Sequence, residues 1–212
     1  MTHAALEQYI QNFNSGEWDT PCHQFSIGEN VNVALIWYQV TPENVTCDKS
    51  NRFYFVTDEG LCVAVVFEMS DLDIHWFVLE EHREKGLLHK ALHETILPYI
   101  FSDNRREQRA TADSTENERY LLRQGFEKRE DNGSSAFYLT KDKIREFDDS
   151  AICREPLSDA DCVEIKNKLR LIVREVRIIK DRLECSHGKS GPLEDIAKEL
   201  GSFAFDVKDL GT

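Results

Sequence analysis

The sequence predicts an α+β fold in which a mixed, mostly antiparallel sheet is flanked by helices and followed by a long helical extension. Three observations support this prediction. Closely linked segments rich in β-branched and aromatic residues come first, at 31–40, 52–58, 61–69 and 72–80. Amphipathic helical patterns then alternate with short strands. A heptad pattern of apolar residues follows near the end of the chain.

Composition limits the class of protein. The chain has 212 residues, of which 41% are hydrophobic and 31% charged, enough apolar residues to bury a core. The net charge of −13 argues against a nucleic-acid partner, because binding phosphates needs clustered positive charge. No apolar run approaches the ~20 residues of a membrane helix, and residues 1–18 lack the features of a signal peptide. We therefore expect a cytoplasmic protein with no membrane partner.

The sequence does not indicate a metal site. Its six cysteines lack the paired spacing of a zinc site or a disulfide framework, so we expect reduced thiols. His89 and His93 lie four residues apart on a predicted helix, but the Glu of the zinc-protease pattern does not accompany them.

The first half of the chain predicts one helix and then strands. Residues 1–30 predict a short helix, from Ala4 to about Asn14, followed by a loop. Glu59-Gly60 predicts a hairpin between the strands at 52–58 and 61–69, because glycine supplies the positive φ of a tight turn.

The pattern becomes helical after residue 84. Apolar residues spaced for one helix face are Leu88, Ala91, Leu92, Thr95, Ile96 and Tyr99. A short strand follows at 109–112, and a second helix begins near Ser114 or Thr115 and ends at Gly125. Segments 126–130 and 136–140 predict a last hairpin. We expect three segments: an N-terminal helix and loop at 1–30, the α+β domain at 31–145 and a C-terminal helical extension at 146–212.

The C-terminal segment predicts a long helix at 159–185. Its apolar seam alternates steps of four and three and consists of Ile165, Leu169, Ile172, Val176, Ile179 and Leu183. One interpretation is a homodimer through this coiled-coil helix. The other is packing on the domain, because Val173 and Ile178 widen the seam. A short helix at 193–200 and an apolar tail follow.

The segment most informative about chemistry joins a strand to a helix at residues 76–88. A helix N-terminus presents unpaired N–H groups and the positive end of the helix dipole. A pyrophosphate can bind there if a glycine permits close approach and nearby cations neutralise it. Arg83, Lys85 and Gly86 supply these components.

Two blocks of sequence resemble motifs of the GNAT N-acetyltransferase superfamily. Val78 followed by Arg83-Glu84-Lys85-Gly86-Leu87-Leu88 is similar to the first block, and Ser114 followed by Gly125-Phe126 is similar to the second. The resemblance covers about residues 31–140. It implies a GNAT-like fold and transfer of an acetyl group from acetyl-CoA to a primary amine of a small molecule or protein, by direct attack. The alternative is a non-catalytic GNAT-like module with a degenerate donor site and a coiled-coil partner helix.

The resemblance also implies roles for individual residues. Backbone groups at 77–79 pair with the pantetheine arm and polarise the thioester. Amides at 83–88 hold the pyrophosphate, and the start of the second helix faces the pantetheine or the departing thiol. The expected donor-binding residues are Phe77, Val78, Leu79, Arg83, Glu84, Lys85, Gly86, Leu87, Leu88, Ser114 and Asn117.

The chain departs from the family at three positions, one of which is Ser114, where the family often has an Asn. Leu88 stands where a small residue is usual, and Leu121 stands where many members carry the tyrosine that acts as general acid. Tyr120 is the neighbouring candidate acid, although one residue rotates a helical side chain by about 100°.

On the acceptor side, Glu80 and Glu68 are candidate bases, because each lies near the end of a predicted central strand. His75 and Trp76 could line the acceptor pocket from opposite faces of one strand. Only 11 residues separate Val40 from Arg52, too few for the two helices that commonly wall this side. The acceptor side is therefore open or walled by the N-terminal helix, the C-terminal segment or a second subunit.

Overall fold

A computed structural model describes residues 2–37, 50–69, 73–131 and 134–207. The chain divides into two compact units, an N-terminal unit at 1–154 and a C-terminal unit at 155–212. This division differs from the boundaries expected at residues 30 and 145, because the first helix and first strand share one unit with the sheet.

The N-terminal unit is an α+β domain in which five consecutive strands follow the first helix. Its elements are α1 (His3–Ser15), β1 (Cys22–Gly28), β2 (Val31–Ile36), β3 (Asn51–Asp58), β4 (Leu61–Met69), β5 (Asp73–Val78), α2 (Leu87–Ala91), α3 (Leu97–Ser102), β6 (Glu107–Ala110), α4 (Thr115–Arg123), β7 (Glu127–Asp131) and β8 (Ser134–Thr140). A π-helical turn (Leu92–Ile96) joins α2 to α3.

The strands form a sheet ordered β1-β2-β3-β4-β5-β6-β8-β7. Among the described strands, β5 and β6 are parallel and the other neighbouring pairs are antiparallel. The predicted fold class, a mixed and mostly antiparallel sheet flanked by helices, is confirmed.

The loop predicted before residue 30 was wrong in part, because strand β1 lies there. Cys22–Gly28 pairs along β2 in antiparallel register. Its polar residues hid the strand in the sequence, because His23 and Gln24 lie on the solvent side of an edge strand while Ile27 is buried. The chain returns to this edge at Cys153, whose backbone exchanges hydrogen bonds of 3.0 and 2.9 Å with Ser26.

The sheet has an apolar core on each face. On one face, α2, α3 and α4 cover a core that includes Tyr54, Val66 and Phe137. On the other face, α1 packs Leu6 and Ile10 onto a smaller core that consists of residues from β2, β3 and β4. The predicted helix at residues 4–14 thus covers the second face of the sheet.

The helix after β5 is continuous but not uniformly α-helical. Pro98 has no N–H to donate to the carbonyl of Glu94, four residues earlier. That carbonyl accepts instead from the Arg145 guanidinium. The π-turn ends at Ile96, two residues before the proline, a common place for a helix to adjust its hydrogen bonding.

Helix α4 begins and ends as its sequence predicts. Ser114, rather than Thr115, is the N-cap, and its hydroxyl accepts from the Asn117 amide at 3.1 Å. Gly125 follows the last turn with φ +86°, a left-handed conformation that glycine adopts readily. Leu121 is completely buried and Leu122 is exposed on the opposite side.

The C-terminal unit is a pair of helices, α5 (Asp159–His187) and α6 (Leu193–Asp206). Ser158 and Asp161 form a reciprocal capping box at the start of α5. Lys180 pairs with Glu194 at 3.6 Å, and Lys166 lies 5.4 Å from the Phe205 ring, so the helices are antiparallel. The tail expected after residue 200 is helical as well.

Helix α6 covers part of the predicted seam of α5. Leu169, Val176 and Leu183 are half-buried, whereas Ile172 and Ile179 are 48% and 52% exposed. In the described part of the chain, no helix is both long and apolar enough to cross a membrane.

Replacing Leu121 with Ala tests the core beneath α4. Because Leu121 is 0% exposed, we expect a cavity that lowers the free energy of unfolding by about 2–5 kcal/mol. Urea unfolding followed by tryptophan fluorescence measures this, since all three tryptophans (Trp18, Trp37 and Trp76) belong to the N-terminal unit. Leu122→Ala is the matched control, because Leu122 is 49% exposed and its loss costs less than about 0.5 kcal/mol. Equal effects of the two substitutions would contradict the burial described.

Candidate functional site

The sheet opens between β5 and β6. Their parallel ladder contains two residue pairs, Asp73 with Arg109 and Ile74 with Ala110. Strand β6 ends at Ala110, whereas β5 continues to Val78. The second half of β5 therefore presents a backbone edge to a gap rather than to a neighbouring strand.

The direction of the backbone groups at this edge follows from one hydrogen bond. The Leu79 amide donates to the Val63 carbonyl of β4 at 3.0 Å. Because backbone groups alternate along a strand, those of Phe77 also face β4, and those of Trp76 and Val78 face the gap. Of the backbone groups at 77–79 expected to bind a ligand, the Leu79 amide is already paired, and Trp76 joins Val78 at the open edge.

A cleft of about 1070 Å³ lies beside this edge. Its walls come from β5, the turn before α2, the start of α2 and the length of α4. Lining residues include Trp76, Phe77, Val78, Arg83, Glu84, Gly86, Leu87, Leu88, Ser114, Asn117 and Tyr120. The cleft thus gathers most residues of the two sequence motifs, whereas Leu79 and Lys85 are not among its lining residues.

The turn before α2 presents backbone amides to the cleft. Glu84 and Gly86 have φ of +61° and +76°, and Gly86 is the N-cap of α2 without a side-chain cap. A Cβ on Gly86 would meet no atom within 4 Å, so the backbone conformation rather than space favours glycine. Arg83 donates from Nε to the Val78 carbonyl at 3.3 Å, which places its guanidinium beside the open edge.

Leu88 lines the cleft but is only 8% exposed. Its side chain belongs to the core between α2 and the sheet. The residue that occupies the family's small-residue position therefore packs mainly into the protein.

Tyr120 faces the cleft, whereas Leu121 faces the core. The Tyr120 ring lies 5.5 Å from the Trp76 ring, and its hydroxyl is buried without a hydrogen-bond partner among the described residues. Burial raises the pKa of Tyr120 to about 12, against a smaller opposing effect of Arg123. The phenol is therefore protonated at neutral pH and able to donate to a ligand.

The start of α4 contributes polar side chains to the same cleft. The Ser114 hydroxyl caps the helix, and the Asn117 side-chain amide donates to the Asp113 carboxylate. Both residues line the cleft, where the second motif implies them.

The two expected bases lie outside the cleft lining. Glu80 is exposed in the short 3-10 turn at Glu80–His82. Glu68 accepts hydrogen bonds from the Tyr54 hydroxyl at 2.5 Å and from Arg105 at 2.6 Å. Its carboxylate thus links β3, β4 and the segment before β6.

A second cleft, of about 240 Å³, adjoins the point where β5 and β6 separate. Its lining residues are His3, Leu6, Phe67, Ile74, His75, Trp76, Thr111, Ala112, Asp113 and Asn117. Helix α1 supplies one wall through His3 and Leu6, which agrees with one of the alternatives considered for the acceptor side. The short connection at 41–51, on which that argument depended, lies almost wholly outside the described residues.

Asp73 and His75 lie together at this second cleft, and the sequence analysis did not connect them. His75 Nε2 is 3.6 Å from Asp73 Oδ2, which also accepts from the Thr111 hydroxyl at 3.1 Å. The signal was present, because residues two apart on a strand share a face. The sequence does not show, however, that this face of β5 borders a cleft.

A shared hydrogen-bond acceptor joins the walls of the larger cleft. Gln124 Oε1, at the end of α4, lies 2.7 Å from His89 Nδ1 and 2.8 Å from His93 Nε2. Because an amide oxygen only accepts, both ring nitrogens carry hydrogen. Burial lowers the pKa of His93, and the charge of His89 adds to this effect. The pair thus holds α4 against the helix that starts at the glycine turn.

No protein-family model matches this sequence, and no curated protein matches it. Similar solved structures include a GNAT-family acetyltransferase from Bacillus anthracis (13% identity, 56% of this chain and 99% of that chain, TM-score 0.38). A second is the dodecameric spermidine N-acetyltransferase from Vibrio cholerae (16% identity, 68% and 92%, TM-score 0.41). A third is a GNAT-family acetyltransferase from Elizabethkingia anophelis with acetyl-CoA bound (14% identity, 42% and 74%, TM-score 0.31). These neighbours belong to the family that the sequence resembles, and the proposals below rest on the geometry of this chain.

Proposed function

We propose that the N-terminal unit is an N-acetyltransferase that moves an acetyl group from acetyl-CoA to a primary amine by direct attack. One observation carries the proposal: an edge of β5 that has no neighbouring strand after Ile74 runs along a cleft toward a glycine turn at the start of a helix. An extended pantetheine arm needs such an edge, and a pyrophosphate needs such a turn.

The residues of the larger cleft fit this donor. The Trp76 backbone and the Val78 amide face the gap and suit the pantetheine arm, as an added strand would, whereas the Val78 carbonyl already accepts from Arg83. The amides after Glu84, with the Arg83 guanidinium nearby, suit the two phosphates. When bound, acetyl-CoA supplies the reactive thioester.

Tyr120 is the proposed general acid. Its hydroxyl has no hydrogen-bond partner in the described part of the chain and stays protonated because of burial. A phenol so placed can donate a proton to the thiolate as the C–S bond breaks. The Val78 amide, facing the gap, is suited to stabilise the charge that develops on the carbonyl oxygen.

The acceptor amine is proposed to enter through the second cleft, on the α1 side of the sheet. This cleft shares His3, Trp76, Asp113 and Asn117 with the larger one. The two clefts thus meet where β5 and β6 separate, and donor and acceptor can approach from opposite sides. The buried Leu88 and the free Tyr120 hydroxyl favour this enzyme over a non-catalytic module.

We also propose that the C-terminal unit forms a homodimer through one edge of its helix pair. Exposed apolar residues seven positions apart lie along this edge, Ile172 and Ile179 on α5 and Ile196 and Phe203 on α6. A groove lined by Arg170, Arg177 and Lys198 marks the opposite edge. A second copy would cover the apolar edge in a four-helix bundle.

The charges beside this edge are self-complementary. Asp161, Lys168, Glu175 and Arg182 follow each other at intervals of seven residues and alternate in sign. In an antiparallel copy, Asp161 meets Arg182 and Lys168 meets Glu175. This pattern favours a second copy of the chain over an unrelated partner.

Replacing Gly86 with Val tests the donor site. A β-branched residue disfavours φ +76°, so we expect the turn to rearrange and the affinity for acetyl-CoA to fall roughly tenfold or more. Isothermal titration calorimetry measures the dissociation constant. Gly60→Val is the matched control, because Gly60 has φ +86° and open space in the β3–β4 turn. A wild-type chain that does not bind at millimolar acetyl-CoA would overturn the proposed donor.

Replacing Tyr120 with Phe tests the general acid. We expect kcat to fall about 10²-fold while the affinity for CoA is unchanged. The deficit should stay constant between about pH 7 and pH 10, since the pKa of the hydroxyl is about 12. Thiol release during transfer to a panel of primary amines is the measurement, with Tyr138→Phe on β8 as control. An undiminished kcat would exclude this role.

Sedimentation velocity tests the homodimer. Ile172→Glu with Ile179→Glu should give a monomer, whereas Val163→Glu, at an exposed apolar residue outside this edge, should leave the dimer intact. Lys168→Glu should weaken association, and adding Glu175→Lys should restore it, because the reversed charges again meet their opposites. A monomeric wild-type chain at all concentrations would disprove the dimer.

A further inference from the structure

We propose that His75 is the general base that accepts the proton of the attacking amine and that Asp73 positions it. This inference rests on the proposed acetyltransferase activity. It assigns the proton acceptor, for which the sequence offered only glutamates that lie elsewhere.

The geometry of the pair supports a base held in one orientation. His75 Nε2 is buried, has no hydrogen bond among the described residues and lies 3.6 Å from Asp73 Oδ2. The ring stacks on Phe67 at a centroid distance of 5.3 Å. A small closing movement brings Nε2–H onto the carboxylate, and that tautomer leaves the lone pair on Nδ1.

The surroundings of Asp73 hold the carboxylate in place. Its Oδ2 accepts from the Thr111 hydroxyl, whereas its Oδ1 is buried without a hydrogen bond among the described residues. Buried carboxylate oxygens are usually hydrogen-bonded, and an unsatisfied one at a cleft calls for an explanation. The neighbouring imidazole Nε2 also lacks a hydrogen bond among the described residues, so a closing movement that brings Nε2–H onto the carboxylate would give both groups a partner.

The position along β5 suits proton transfer. His75 lines the smaller cleft one residue beyond the last β5–β6 pair, Ile74 with Ala110. Trp76, the next residue, lines both clefts. The imidazole therefore lies on the acceptor face, adjacent to the edge where the thioester is proposed to bind.

Other charged or titratable groups border the pair from neighbouring elements. His3 comes from α1, and Asp113, which accepts from Asn117, comes from the segment before α4. Arg109 is the register partner of Asp73 on β6. On β4, Phe67 is the neighbour and brings no charge.

The glutamates are less suited to the task. Glu68 already accepts from Tyr54 and Arg105 and lies on the opposite face of β4 from Phe67. Glu80 is exposed and lines neither cleft.

The proton transfers balance. The amine nitrogen forms a bond to the acetyl carbon and loses one proton to His75. The C–S bond breaks, and the sulfur takes one proton from Tyr120. Return of the proton from His75 to Tyr120, through solvent, restores the enzyme, so that an amine and acetyl-CoA give an amide and CoA.

Substitution at His75 and Asp73 tests the base. The probes are thiol release from acetyl-CoA with n-butylamine as acceptor and, without amine, with water. His75→Gln should lower kcat about 10²-fold or more and remove the acidic limb of the pH–rate profile, with affinity for acetyl-CoA unchanged. Asp73→Asn should cause a smaller loss, since it alters the orientation of the ring. His23→Gln, an exposed histidine on β1, is the matched control.

Chemical rescue separates a catalytic role from a structural one. In His75→Ala, added imidazole should restore a measurable part of the rate, which would not follow if the substitution only disturbed folding.

The inference is overturned if His75→Gln turns over like the wild type, if imidazole does not rescue a folded His75→Ala, or if Glu80→Gln alone removes the acidic limb. It also falls if the wild-type chain binds acetyl-CoA but transfers to neither probe. Failure of the wild-type chain to bind acetyl-CoA would instead overturn the proposed function and this inference with it.

Discussion

The short parallel ladder between β5 and β6 is the constraint on which the candidate site depends. Backbone N–H and C=O groups need partners, so an interior strand normally pairs along its whole length. Here pairing stops after Ala110, because the chain turns away toward the cap of α4 at Ser114. Beyond that point, the Phe77 backbone faces β4 and the Val78 carbonyl accepts from Arg83, so the Trp76 groups and the Val78 amide are left to water or an extended ligand. The opening in the sheet thus forms the edge along which the cleft lies.

The two faces of the sheet carry different parts of the site because side chains alternate along β5. Trp76 packs toward α4 and meets Tyr120, whereas His75 lies on the face covered by α1. Strand β5 therefore lies between the proposed acid, which contacts Trp76, and the proposed base, His75, which is the residue before Trp76. The same alternation sends the backbone of Phe77 toward β4 and that of Val78 toward the gap.

Local patterns predicted the parts of the fold that local interactions determine. The left-handed Gly125 and the different orientations of Tyr120 and Leu121 follow from helix geometry, and the sequence was sufficient for them, whereas for the cap it left Ser114 and Thr115 open. Strand β1 was missed because an edge strand with polar outward residues resembles a loop.

The roles of more distant contacts could not be predicted from the sequence. Glu68 looked like a free carboxylate until Arg105, from beyond the helix, was seen to bind it. The Leu79 amide looked available until Val63 was found to accept it. Both depend on pairings between segments far apart in the chain, which spacing along the sequence does not report.

The backbone hydrogen bonds between Ser26 and Cys153 help to protect the sheet of the N-terminal unit from pairing with other sheets. An exposed edge strand is a template for joining another sheet. At one edge of the sheet, the chain around Cys153 occupies hydrogen-bonding positions of β1. At the other edge, β7 carries charged side chains that discourage pairing with another strand: Glu127, Lys128, Arg129 and Glu130. A chain shortened before residue 153 would lose the cover on β1 and become prone to fibril-like growth from that border.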